Sequence, residues 1–195
     1  AVSSLTPFQT LQDLINAAKN KPDTVSYGTS GLGTNQHYIG EWLAKLGNFK
    51  WIHVPYKGGG QAIVDLTGGT TPAAVLGFAP LLSQQKKGGI RILAITSAQR
   101  NTSAPAIPTL SELGFKDIAI NQWVGIVAPK NLPSSILNKM SKEVGLVLDR
   151  PEIKAKLLDI GLTAKSMPAG EFEIFLKTSI QRWSELNKSL QIPID

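Results

Sequence analysis

The feature that most constrains this chain is a recurring unit in which a short β-favouring run enters a glycine-rich loop and the loop opens onto a helix. Thr24-Val25-Ser26-Tyr27 runs into Gly28-Thr29-Ser30-Gly31-Leu32-Gly33-Thr34, after which Ile39, Trp42, Leu43 and Leu46 recur at helical spacing until Gly47. The unit returns as strand Trp51–Val54, loop Pro55-Tyr56-Lys57-Gly58-Gly59-Gly60 and helix Ala62–Leu66. A third copy is strand Ala73–Leu76, helix Pro80–Lys87 and strand Ile90–Thr96. Strands alternating with helices predict an α/β fold whose sheet is mostly parallel and flanked by helices. Ligands in such sheets sit beyond the carboxyl ends of the strands, where both glycine loops fall.

Either side of this core the pattern differs. Phe8, Leu11, Leu14, Ile15 and Ala18 predict a helix from Pro7 to Asn20, with Thr6 as N-cap. After Asn101–Pro108, a surface connection, a short helix is expected over Thr109–Leu113 and a long strand over Ile118–Ala128. Beyond Pro129 the chain turns helical, over Pro133–Leu148, Glu152–Ile160 and Ala169–Leu190, with Leu162–Lys165 as a possible strand. The shift predicts two structural units, 1–122 and 123–195, with a hinge crossing near Trp123.

The 195 residues, 42% of them hydrophobic, suffice for a packed core. Net charge is +6, which invites a nucleic-acid reading, but no basic run exceeds Lys86-Lys87 and no aromatic ladder accompanies the cations. No nucleic-acid partner is expected, and a mild field attracting small anions is the better inference. Without cysteine there is no disulfide, thiol nucleophile or Cys-ligated zinc. No apolar stretch of membrane-spanning length occurs, and Ala1-Val2-Ser3-Ser4 has neither part of a signal peptide, so none is expected in this chain.

The richest chemistry lies in Gly28–Thr34 with His37 just after it. Unpaired N–H groups and the macrodipole at a helix N-terminus favour an anion. Gly31 and Gly33 let the backbone approach a ligand, and the hydroxyls of Thr29, Ser30 and Thr34 can add hydrogen bonds. The loop reads either as a carboxylate or phosphate cradle or as a turn that caps the helix. It fails the P-loop, which needs a lysine where Thr34 stands, and the dinucleotide fingerprint, which needs glycine at Gln36. It also fails the nucleophile elbow, with Leu32 in the last glycine position. His37 can donate to a ligand or cap a carbonyl. With His53 it makes two histidines, too few for a metal site without several carboxylates, so neither metal, cofactor nor catalytic residue is expected. In the second loop Lys57 offers a point charge, Tyr56 a wall with a polar tip, and Gly58 open backbone; Lys57 can equally be a solvated turn residue. Trp42, Trp51 and Trp183 fall on apolar faces, whereas Trp123 is expected near a cleft.

Several of these segments together resemble one family. Ser26–Thr34 with His37, His53-Val54-Pro55-Tyr56-Lys57-Gly58-Gly59, Leu93–Arg100, Ile107-Pro108-Thr109 and Trp123–Pro129 look like the tripartite tricarboxylate transporter receptors, the Bug or TctC solute-binding proteins. The resemblance implies a periplasmic binding protein of type II architecture, with two lobes closing on a small carboxylate and delivering it to membrane permease subunits. It implies that Thr29–Thr34 is the ligand loop of the second lobe, that residues 123–195 belong with the first, and that the chain begins where the second lobe starts. Self-association through a surface left by a missing segment is the alternative, and a small enzyme acting on a carboxylated or phosphorylated substrate a further one.

Overall fold

In the computed structural model, which describes residues 1–192, the sheet is built from β1 (Val2–Ser3), β2 (Ser26–Thr29), β3 (Ile52–Pro55), β4 (Ala73–Ala74) and β5 (Ile90–Arg91) in the order β3-β2-β4-β1-β5. β2 is paired in parallel with β3, Tyr27 opposite His53, and in parallel with β4, Tyr27 opposite Ala73. β1 runs antiparallel to both β4 and β5, so the sheet is mixed where the sequence predicts a mostly parallel one. Val2 and Ser3 are too short a run to show a period, yet both are fully buried.

Helices α1 (Leu11–Asn20), α2 (Asn35–Gly47), α3 (Gly59–Gly68) and α4 (Phe78–Lys86) connect the strands. α1 starts later than expected because Thr10 and Asp13 form a capping box, the Thr10 N–H donating to Asp13 Oδ2 at 2.8 Å and the Asp13 N–H to Thr10 Oγ1 at 3.1 Å. Those backbone donors hold the Asp13 carboxyl below its ordinary range. Thr6, expected as the cap, instead donates its hydroxyl to the Ser3 carbonyl at 2.8 Å. α2 lies so close to β2 that a Cβ on Gly40 would collide with the Tyr27 ring. The core gathers Leu66, Ala74, Leu81, Leu82, Ile90, Ile92, Ile95 and Ile107.

Four expected elements take other forms. The strand Ile90–Thr96 is regular only over β5, and Ile95 makes an isolated parallel bridge to Thr109. Thr109–Leu113 is a run of turns, in which Glu112 accepts from the Thr109 N–H at 2.7 Å and from Arg100 Nε at 2.9 Å. Ile118–Ala128 contains no strand: Ile120 exchanges bonds with Thr96, N–H to carbonyl at 2.8 Å and Thr96 hydroxyl to Ile120 carbonyl at 2.7 Å, and ladder pairing stops there. Nor is there a strand over Leu162–Lys165.

The chain divides into two compact units, one from Ala1 to Gln122 and the other from Trp123 to Ser189. The described residues from Leu190 on fall with the first unit, not the second as the sequence grouping has it. The second unit holds α5 (Ser134–Leu148), α6 (Pro151–Asp159) and most of α7 (Ala169–Leu190). No described helix is long and apolar enough to cross a membrane.

Candidate functional site

The loops after β2, β3 and β4 lie side by side because their strands are neighbours in the sheet, and each leads into the N-terminus of a helix. β2 ends at Thr29, fully buried. Its hydroxyl accepts from the Gly31 N–H at 3.2 Å and lies 2.7 Å from His53 Nε2. Gly31, at φ 142°, and Gly33, at φ 68°, adopt backbone conformations that side chains disfavour, which explains glycine at both. Thr34 closes the turn by donating its hydroxyl to the Gly31 carbonyl at 2.7 Å, and as N-cap of α2 it accepts from the His37 N–H at 3.4 Å. The Gly33 N–H points inward to His37 Nδ1 at 3.3 Å.

The second loop is fastened to the first. The Tyr56 N–H donates to the Thr29 carbonyl and the Gly58 N–H to the Ser30 carbonyl, both at 3.1 Å. A Cβ on Gly59 would stand 3.3 Å from Ser30 Oγ, so the start of α3 abuts the Ser30 side chain. Among the described residues α3 and α4, whose N-caps are Gly58 and Gly77, have no side-chain cap, and the first-turn N–H groups of α3 and those of Phe78 and Ala79 in α4 have no protein partner. Among the described residues the Ser30 hydroxyl, the N–H groups of Ser30 and Leu32 and those of Asn35 and Gln36 in the first turn of α2 have no protein partner either. Lys57 is exposed and forms no ion pair among the described residues. What stands around Ser30 is therefore its hydroxyl, several free amides and the positive end of the α3 dipole, with the exposed Lys57 one residue before the Gly58 amide bonded to the Ser30 carbonyl, a set suited to an anion.

Two residues sit differently from their sequence reading. The Tyr56 hydroxyl is engaged below the loop, donating to Asp65 Oδ2 at 2.8 Å and lying 2.6 Å from Thr71 Oγ1, so its polar tip supports the floor of the site. Burial, then Asp65, raises its pKa against the opposing Thr71 bond. Its ring fills the space over Gly28, where a Cβ would come within 3.0 Å of Tyr56 Cε2. Trp123 belongs to the second unit, its ring edge-on to Phe172 and Phe175 at centroid separations of 5.6 and 5.5 Å. The loop cluster is built from the first unit alone and brings together Thr29, Ser30, Gly31, Gly33, Thr34, His37, Tyr56, Lys57 and Gly58.

Beneath the loop the sequence reading missed a supporting layer. His37 and His53 stack with ring centroids 3.8 Å apart and planes 10° from parallel. Tyr27, stacked on Trp51 at 4.0 Å, donates its hydroxyl to Glu41 Oε1 at 2.6 Å. Burial, the Glu41 bond and its charge all drive the Tyr27 pKa upward. Burial also lowers His37 despite the opposing charge of Glu41, and it pushes His53 down to about 4 with the help of His37. The sequence showed only that His53 stands mid-strand; its register opposite Tyr27 comes from the sheet. Gln122, whose Oε1 would lie 3.1 Å from a Cβ on Gly77 at the start of α4, gave no signal.

The mixed α/β sheet flanked by helices is the fold of solved periplasmic binding proteins. "R. palustris Rpa4515 with adipate" superimposes with a TM-score of 0.93 at 26% identity, over 98% of this chain and 64% of that one. "Structure of a periplasmic transporter" gives 0.93 at 27% identity, over 100% and 65%. A family model for the tripartite tricarboxylate transporter family receptor matches residues 1–192, and the chain belongs to that family. Protein BugT of Bordetella pertussis is 29% identical over 177 residues, covering 91% of this chain and 54% of BugT. The chain thus spans about half the length of the curated relatives it matches. The family is one of receptors rather than enzymes, in agreement with the expectation of a binding protein.

Proposed function

We propose that this chain is the ligand-binding part of a periplasmic receptor that captures a small carboxylate and hands it to the permease subunits of a tripartite tricarboxylate-type transporter. The observation that carries this reading is the uncapped start of α3 abutting the Ser30 side chain, in the loop that leads to the open first turn of α2. The adipate in the Rpa4515 structure supports the same ligand chemistry. In this reading the Ser30 hydroxyl and free amides bind the carboxylate and Lys57 supplies charge. Thr29, Gly31, Gly33, Thr34 and His37 shape the loop, while Tyr56 and Gly58 form its floor and neighbour. Residues 1–122 serve as the second lobe and 123–195 as part of the first. A thermal-shift panel of small carboxylates, adipate included, tests it. At about a hundredfold excess over Kd a bound acid adds ~2.7 kcal/mol and raises Tm by roughly 5–10 °C. No shift with any acid contradicts the reading for this chain.

Self-association is a second reading, favoured by α5, α6 and α7, none of which has a buried residue. Light scattering that shows a dimer or larger species supports it, and a monomer at high concentration overturns it.

A further inference from the structure

We infer that the stacked His37–His53 pair is a positioning latch for the Thr29–Thr34 loop, set while the imidazoles are neutral and released when His37 takes a proton. The pair reaches the loop at two points. His53, on β3, meets the Thr29 hydroxyl at 2.7 Å, and that hydroxyl in turn accepts the Gly31 N–H at 3.2 Å. His37, on α2, accepts the Gly33 N–H on Nδ1 at 3.3 Å. The amides of Gly31 and Gly33 are thereby turned inward, and among the described residues the N–H groups of Ser30 and Leu32 on either side of Gly31 are left without a protein partner. Face-to-face stacking at 3.8 Å fixes each ring against the other, so the two anchor points move together.

The protonation requirement follows from that geometry. Nδ1 accepts a hydrogen bond only with its lone pair free, so a proton there replaces an acceptor with a donor facing the Gly33 N–H. A cation on His37 also faces the second imidazole at stacking distance, where a charge on both rings is mutually repelled. Among the described residues the other titratable groups beside the pair are Glu41 and Tyr38, on the same helix as His37, the Tyr38 ring tilted 6.4 Å from His37, and Tyr27, on β2, whose ring is tilted over His53 at 5.1 Å. Glu41 favours the charged His37, but its carboxylate is engaged by Tyr27, and burial acts in the opposite direction on both histidines. The latch is therefore set at neutral pH and opens below the ordinary imidazole range.

The amide arm of the test is independent of any ligand, whereas the affinity arm rests on the carboxylate reading above. In the wild-type chain the Gly33 amide resonance is expected to shift with pH along the same titration curve as the His37 ring carbons; a Gly33 signal indifferent to that titration overturns the latch. His37→Phe keeps a flat ring without the acceptor and is expected to speed Gly33 amide exchange about tenfold or more, the scale of one lost hydrogen bond. His37→Asn places an amide oxygen near the Nδ1 position and is expected to restore the protection and abolish its pH dependence. Gly33 protection unchanged in His37→Phe overturns the proposal. With adipate as probe, affinity in the wild type is expected to fall between about pH 7.5 and 5 by more than in His37→Asn, since titration of the acid itself is common to both. Tighter binding at the lower pH in the wild type alone overturns the latch by making His37 a source of charge. Absence of adipate binding at either pH counts against the carboxylate reading, and the Gly33 measurements then decide the latch by themselves.

Discussion

The two units of this chain use amphipathic helices to different ends. In the first, the apolar faces of α1 to α4 close on the sheet, and Val2, Ala18, Tyr27, Leu66 and Ile118 are completely buried. In the second, α5, α6 and α7 bury no residue, and Ile174 and Ile180 on α7 are 67% and 68% exposed. Burying one such isoleucine is worth about 1.5–3 kcal/mol, so the second unit leaves unrealised the term that stabilises the first. A helical period in sequence thus shows that a face is apolar, not that the same chain covers it. The candidate site lies wholly on the self-sufficient unit, as its loop geometry requires a rigid support.

The largest expected contrast is in hydrogen exchange. Amides of α5 to α7 are expected to exchange orders of magnitude faster than those of α2, α3 and β2; equal protection would erase the distinction between the units. Core truncation sharpens it next. Leu66→Ala is expected to cost about 2–5 kcal/mol in chemical denaturation, whereas Ile174→Ala changes stability by less than about 0.5 kcal/mol. A comparable cost at both positions would mean that α7 is covered after all.

Acid should act selectively on the first unit. The folded pKa of His53, about 4, is lower than its ordinary 6.5, so the unfolded chain binds more protons between those values. The contribution is present above about pH 6.5 and is lost as pH falls toward 4, and with partial exposure allowed for the loss by about pH 4.5 is on the order of 2 kcal/mol. Denaturation of His53→Gln across that range should show a correspondingly flatter pH dependence, and an unchanged slope would show that His53 contributes nothing. The smallest effect expected is at the α1 cap: Thr10→Ala should cost about 1 kcal/mol, measured as a shift in denaturation midpoint, and no shift would place the helix start elsewhere.

Much of the site was legible because glycine, hydroxyl and helix-start signals are local. The Gly28–Thr34 loop and the second loop both follow from short-range pattern, whereas the N-cap role of Thr34 came only with the structure. Tyr56 was not, since its hydroxyl is claimed by Asp65 and Thr71, residues that only the return of α3 and the approach to β4 bring beneath it. The histidine stack depends on strand register, which sets His53 opposite Tyr27, and on α2 crossing above, neither of which a single segment reveals. Likewise β1 owes its antiparallel place between β4 and β5 to pairing alone. The apolar run from Ile118 to Ala128 misled because its first residues fill the core of one unit and the later ones lie exposed in the other.

The most direct measurement is an amide chemical-shift map of the chain titrated with adipate. The expected result is saturable shifts concentrated at Ser30, Leu32, Asn35 and Gly58–Gly60, abolished together by Ser30→Ala with Thr34→Ala. Saturable shifts confined to other parts of the molecule, or shifts unaltered by the double substitution, would contradict an anion site at the convergence of these helix N-termini.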